Sequence, residues 1–224
     1  SLCDWSSDVA SSALVRVSID MVKEGLITRE EAIFRVEPNQ LYDFLVPRLV
    51  EKGEKIEVLA TGLPASPGAA VGQIVFTAED AVKHHNNGSY KHVILVRGET
   101  TPEDIAGMEV ASGILTSRGG MTSHAAVVTR GMGKCCVAGA GDCVVDEAKK
   151  ELRVKGKIFK QGDYISLDGT TGRVIAGKLK TLDAQPDDPD LVKFMSWVDP
   201  LRRLRIRANA DIPRDAKQAR QFGA

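Results

Sequence analysis

Aromatic residues make up only 5% of the 224-residue chain, and its 30 lysines and arginines are balanced by 30 aspartates and glutamates. So few rings and no net charge leave neither the stacking platform nor the basic footprint of a nucleic-acid binder. The same balance gives no electrostatic case for an anionic membrane, and no apolar run approaches the length of a bilayer span. The start, Ser1-Leu-Cys-Asp-Trp5, has no basic region followed by an apolar core, so it does not read as a signal peptide. It also lacks an initiator Met, and the chain is expected to be a piece of something longer. Cysteines are few: Cys3, Cys135, Cys136 and Cys143, with no Cys-x-x-Cys spacing. An adjacent pair on a strand points to opposite faces. Buried reduced thiols in a cytosol-like compartment are therefore expected rather than a zinc site or a disulfide framework.

What is present is a core: 43% of the residues are hydrophobic, enough for more than one compact unit. Residues 10–50 read as helices. Leu14, Val17, Met21 and Val22 suggest one apolar face, and Gly25 is placed to stop that helix. Thr28-Arg-Glu-Glu31 is a capping-box pattern opening a second helix, and Pro38 starts a third. Charged residues 51–55 look like a linker. From residue 59 to about 177 the pattern alternates between strands and helices. Residues 61–68 read as a turn-rich loop, 72–77 and 91–97 as strands, 79–85 as a helix. Thr101-Pro-Glu-Asp104 then opens a helix with a capping hydroxyl, an early Pro and first-turn acids. Residues 113–117, 135–138, 151–154, 164–168 and 172–176 read as further strands, which predicts a mixed α/β sheet assembly. Residues 178–190 are polar and Pro-rich, a second linker. Residues 191–201 are helical, 204–209 resemble a strand, and 213–221 begin another helix.

One stretch organises the rest: Arg118-Gly-Gly-Met-Thr-Ser-His124, followed by Ala-Ala-Val-Val-Thr-Arg-Gly-Met-Gly-Lys-Cys-Cys136. Gly119 and Gly120 supply the free backbone that a sharp strand-to-helix turn needs. Thr122 or Ser123 can cap the helix, leaving His124 in its first turn. First-turn N–H groups lack intrahelical partners and the helix dipole favours anions there, so a phosphoryl group on His124 would meet ready donors. A lone histidine after a Gly-rich turn is more often a cap or a surface residue; the whole string is what changes that reading.

The string resembles the phosphohistidine signature of the pyruvate, phosphate dikinases within the PEP-utilizing enzyme family. Thr129 stands where members more often have Ala, on the helix away from His124. The resemblance implies a swivelling β/β/α phosphohistidine domain over residues 58–178. Residues 1–57 would be the helical tail of an ATP-binding domain, 179–202 a linker with a helix, and 203–224 the first βα unit of a truncated PEP/pyruvate-binding (β/α)8 barrel. His124 would be the phosphohistidine intermediate, phosphorylated on Nε2, supported by Gly119, Gly120, Thr122 and Ser123. In plant relatives a Thr at the position of Thr122 is phosphorylated to switch the enzyme off. ATP, phosphate and pyruvate or PEP would act through flanking domains of a homodimeric parent. Mg²⁺ would be bound mostly outside this chain, in a cytoplasmic, plastid or glycosomal compartment. The alternatives are a carrier domain of PEP synthase or of an enzyme I-like phosphotransferase, and an interaction module without chemistry.

Other motifs carry less. Gly131-Met-Gly-Lys134 lacks the first Gly of a phosphate loop, where Val128 stands, and its Ser/Thr, replaced by Cys135. Gly139-Ala-Gly141 lacks the third Gly of a dinucleotide fingerprint, where Val144 stands. His84, His85 and His92 are expected as surface histidines, since helix neighbours do not share a face for a metal. Trp5 and Trp197 are expected to pack against a neighbouring domain.

Overall fold

Val, Ile and Leu fill residues 93–96, and Ile114 and Leu115 follow the same chemistry; all six are fully buried at the centre of one sheet. The computed structural model describes residues 11–50 and 56–221. Its elements are α1 (Ser11–Lys23), α2 (Arg29–Arg35), α3 (Pro38–Leu45), β1 (Arg48–Val50), β2 (Val58–Thr61), β3 (Leu63–Ser66), β4 (Ala69–Val75), α4 (Ala78–Asn86) and β5 (Val93–Arg97). A 3-10 turn (Pro102–Asp104) leads into α5 (Ile105–Val110), then β6 (Gly113–Thr116), α6 (His124–Met132), β7 (Cys135–Ala138), β8 (Val144–Asp146), β9 (Glu151–Val154) and β10 (Lys157–Lys160). The chain closes with β11 (Tyr164–Asp168), β12 (Arg173–Ala176), β13 (Lys180–Leu182), α7 (Pro189–Val198), a second 3-10 turn and α8 (Pro213–Gln221). Two compact units divide it: residues 45–185, and residues 1–44 with 186–224.

In the 45–185 unit an eight-stranded sheet has the order β2-β12-β11-β4-β5-β6-β7-β3. Strands β4 to β7 run parallel, joined through α4, α5 and α6, while the others pair antiparallel. Successive strand residues point to opposite faces, and both faces are covered. Ile94, Val96, Leu115, Cys135 and Val137 join a core with Leu152 and Val154 of the hairpin β8–β9–β10. Val93, Leu95, Ile114 and Cys136 join a second core with Met108, Ala125 and Ala126 of the helices. The adjacent cysteines thus serve opposite faces. Burial pushes the Cys136 and Cys143 thiols up to about 11, and that of Cys135 higher still, so all three are inert packing groups.

The unit built from the two ends of the described chain is helical. Val15 and Ile19 of α1 pack with Val36, Phe44, Leu191 and Phe194. Thr28 accepts from the Glu31 N–H while the Glu31 carboxylate accepts from the Thr28 N–H, the expected capping box. Gly25 ends α1 in the left-handed region at φ +73°.

Several expectations need correction. The buried stripe of α1 is Val15, Ser18 and Ile19, and Val17 is half exposed. Apolar residues lie on both sides of this helix, so the stripe is chosen by what packs on it, α7 included. Residues 61–68 are not a loop: they hold the end of β2 and all of β3, an edge strand, where Pro64 costs no interior ladder bond. Residues 178–190 are not all linker, since Lys180–Leu182 pair antiparallel with Arg48–Val50. The linker expected at 51–55 lies outside the described residues, as do Cys3 and Trp5. Residues 204–209 form no strand; a strand needs a ladder partner, and none is present among the described residues. Trp197 packs beside Phe194 with the Arg29 guanidinium 5.6 Å from its ring, inside its own unit. His85 and His92 are exposed, but His84 is half-buried and stacks on Tyr90 at 4.1 Å.

Candidate functional site

The turn after β6 is shaped by its backbone before any side chain matters. Gly119 takes φ +113°, a region that L side chains rarely adopt. A Cβ on Gly139, itself at φ +64°, would stand 2.5 Å from the Gly119 carbonyl oxygen, so two glycines are needed where the loop after β7 crosses this turn. The Ser123 N–H closes the turn on the Gly120 carbonyl at 3.0 Å. Ser123, not Thr122, is the N-cap of α6: its hydroxyl accepts from the Ala126 N–H at 3.4 Å. His124 is therefore the first residue of α6. Ser123 occupies the N–H groups of Ala126 and Val127, and the earlier first-turn donors remain for an anion.

Behind the turn, Arg130 donates from Nη2 to the Met121 carbonyl and from Nε to the Ala126 carbonyl, tying the loop to its own helix. Thr129 is fully buried and its hydroxyl donates to the Ala125 carbonyl at 2.5 Å, so it sits inside the packing of α6. Thr122 and Met121 are exposed at the tip.

His124 is half-buried, and its Nδ1 lies 3.1 Å from the hydroxyl of Thr100, a residue only 4% exposed. Thr100 belongs to the loop after β5, which the sequence marked only for the cap at Thr101. Nothing in the pattern pairs a loop threonine with a histidine 24 residues away; only the parallel pairing of β5 with β6 brings their ends together. That loop is knit to the signature by the Ser117 N–H on the Arg97 carbonyl at 3.1 Å and the Arg118 N–H on the Gly98 carbonyl at 3.0 Å. With Nδ1 engaged by Thr100, Nε2 has no hydrogen-bond partner among the described residues.

Residues 89–172 match the family model for the PEP-utilising enzyme, mobile domain. Over 94% of its length the chain is similar to a pyruvate, phosphate dikinase of Zea mays, 54% identical over 211 residues. The dikinase of Giardia intestinalis is 52% identical over 212 residues, 95% of the chain. The chain is a relative of the pyruvate, phosphate dikinases. It spans about a quarter of the length of these dikinases, 24% of each. An NMR structure of an Enzyme I protein matches 49% of the chain and 37% of its own, at 26% identity and a TM-score of 0.28, too low to argue from.

Magnesium does not fit the described residues of this dikinase relative. Among the described residues no group of three or more His, Cys, Asp or Glu could hold a metal ion. Two acids near the site, Asp104 and Glu147, are engaged by Arg97. Nor is any described helix long and apolar enough to cross a membrane.

Proposed function

We propose that this chain is the phosphoryl-carrier portion of a pyruvate, phosphate dikinase, with His124 as the group that carries phosphate. The observation behind this is the free Nε2 of a histidine held at a helix N-terminus by Thr100. A neutral imidazole is a competent nucleophile near neutral pH. The Nε2 lone pair would attack phosphorus, the N–P bond forming as the P–O bond to the donor breaks, with Nδ1–H donating to Thr100 as the ring becomes cationic. The reverse step at a second site would return the phosphoryl group to an acceptor oxygen. Over the whole parent the reaction is ATP + phosphate + pyruvate ⇌ AMP + diphosphate + PEP, with nucleotide, PEP and magnesium handled by domains beyond this chain. The parent would be a homodimer.

In this reading residues 58–178 form the mobile carrier, 1–57 and 179–202 flank it, and 203–224 begin the PEP-binding barrel, where the strand at 204–209 would form only against neighbours. Because β1 and β13 zip the two flanks together, swivelling would centre on the segments that join the units, near residues 44–45 and 185–186.

The test is intact-mass analysis of the parent after incubation with ATP and phosphate. The wild type should gain one phosphoryl group, and His124→Ala should gain none while keeping its fold. Retained ATP/AMP exchange in that variant would sink the reading. Full activity without added phosphate would point to PEP synthase-type chemistry, and no mass gain in the wild type to a non-catalytic module. Exposed Thr122 is the proposed regulatory site, because a phosphate there adds about −1.5 to −2 charge at pH 7 beside the donors His124 would use. Thr122→Glu should block phosphorylation while Thr122→Val leaves most of it; equal loss in both would assign the hydroxyl a positioning role instead.

A further inference from the structure

The group that holds His124 is itself held from the far side of the sheet. Arg97, the last residue of β5, is only 18% exposed in its side chain, and two acids share it. Its Nη1 donates to Glu147 Oε2 at 2.7 Å and to the Phe76 carbonyl at 3.1 Å. Its Nε stands 3.3 Å from Asp104 Oδ1, an ion-pair contact off the hydrogen-bond line. Glu147 uses its other oxygen as well: Oε1 accepts from the Gly98 N–H at 3.2 Å. Asp104 Oδ2 accepts from the Thr101 N–H at 2.9 Å. The two carboxylates therefore grip residues 97–98 and 101 and bracket Thr100.

Glu147 follows β8, in the hairpin layer that packs on the face of the sheet opposite the helices. Its structural bonds run to Arg97 and Gly98 and not to His124. We propose that Glu147 is a positioning residue for the phosphoryl-accepting nitrogen: through Arg97 and Gly98 it fixes the loop on which Thr100 accepts a hydrogen bond from the Nδ1–H of His124, and so keeps Nε2 unprotonated. This rests on the reading of His124 as the phosphoryl acceptor. An ion pair whose acid is 39% exposed contributes little stability by itself. Its effect here is geometric, because the tautomer of a histidine is set by the partner of its other nitrogen. A Gly98 Cβ would also lie 3.4 Å from Arg118 Nη2 and 3.7 Å from Glu147 Oε1, so the first residue of the signature shares this junction.

The experiment uses the 224-residue chain, ¹⁵N-labelled, at a pH well above the ordinary imidazole pKa of about 6.5. Long-range ¹H–¹⁵N correlation of the ring identifies the tautomer of His124, assigned by its absence in His124→Ala. Phosphoramidate serves as the phosphoryl donor: Nε2 attacks phosphorus, the donor's P–N bond breaks and ammonia leaves. The wild type should show the Nδ1–H tautomer. Glu147→Ala should shift it toward Nε2–H and slow phosphorylation roughly 10-fold, at the low end of what outer partners of metal-bound histidines contribute. Glu147→Gln keeps an oxygen for Gly98 but loses the charge toward Arg97, and should fall between. Amide spectra away from residues 97–104 and 117–124 should be unchanged. Wild-type tautomer and rate in folded Glu147→Ala, or in Glu147→Gln if the Ala variant does not fold, would overturn the proposal. A wild type showing the Nδ1–H tautomer but taking no phosphate on His124 would overturn the carrier reading instead, while the tautomer comparison still decides the role of Glu147.

Discussion

The two units of this chain solve the burial problem in opposite ways. In residues 45–185 a sheet is covered on both faces, and strand residues from 59 to 175 reach full burial in two separate cores. In the helical unit the core among the described residues has six buried side chains, drawn from residues 15–44 and 191–194, with partly buried neighbours such as Leu41 and Trp197 packed against them. The first unit can lose a contact on one face and retain the other. The second depends on segments about 150 residues apart in sequence meeting, so each side chain carries a larger share. Rigidity is therefore concentrated where the signature turn must hold its geometry.

The sharpest way to break this contrast is to truncate one side chain in each core. Phe194→Ala and Leu95→Ala remove comparably buried groups, each at a cost of about 2–5 kcal/mol. Hydrogen exchange should show Phe194→Ala releasing α1 and α7 together, whereas Leu95→Ala weakens β5 and β6 without unfolding the sheet. If the helices keep their protection while the sheet collapses, the assignment of robustness is backwards. A smaller effect is expected at Gly139→Ala, which forces a side chain into the left-handed region and against the Gly119 carbonyl. Its cost of about 1–2 kcal/mol should come with amide shifts concentrated at residues 119–124. Unchanged shifts there would mean that the loop after β7 does not brace the signature turn.

The smallest effect is in acid. Burial works against the charge of Asp168, yet hydrogen bonds from Thr171 and Arg173 prevail and hold its carboxyl below the usual range. A depressed folded pKa contributes stability that is complete above the unfolded value near 3.9 and is lost as pH falls through the folded value. The β11–β12 hairpin should therefore loosen below about pH 4, and Asp168→Asn should flatten that dependence. In the helical unit Glu31 is likewise held low, first by its backbone bond to Thr28, but on an exposed cap whose loss should fray α2 alone. Equal acid sensitivity of the two units would remove this part of the contrast.

Much of this was readable from residues alone, for local reasons. The capping box at Thr28, the helix start at Thr101, the stop at Gly25 and the Gly119–Gly120 turn are set by a residue's own φ/ψ range or by partners three positions away. So was the opposite facing of Cys135 and Cys136, because strand alternation does not depend on what lies beyond the strand. Their positions in sequence carry the signature, and with it the relationship to the dikinases.

Tertiary structure decided what depends on pairing. Pro64 looks like loop chemistry until β7 supplies the single ladder an edge strand needs. Residues 180–182 read as linker until they meet 48–50. Val15 and Ile19, rather than Val17, are buried because of what packs on α1, a choice its own periodicity left open. Thr100 and Glu147 carry no local pattern at all. They reach His124 directly and through Arg97 because β5 and β6 lie side by side in parallel and the hairpin covers their far face, and contacts across 24 and 50 residues of sequence exist only once the chain has closed on itself.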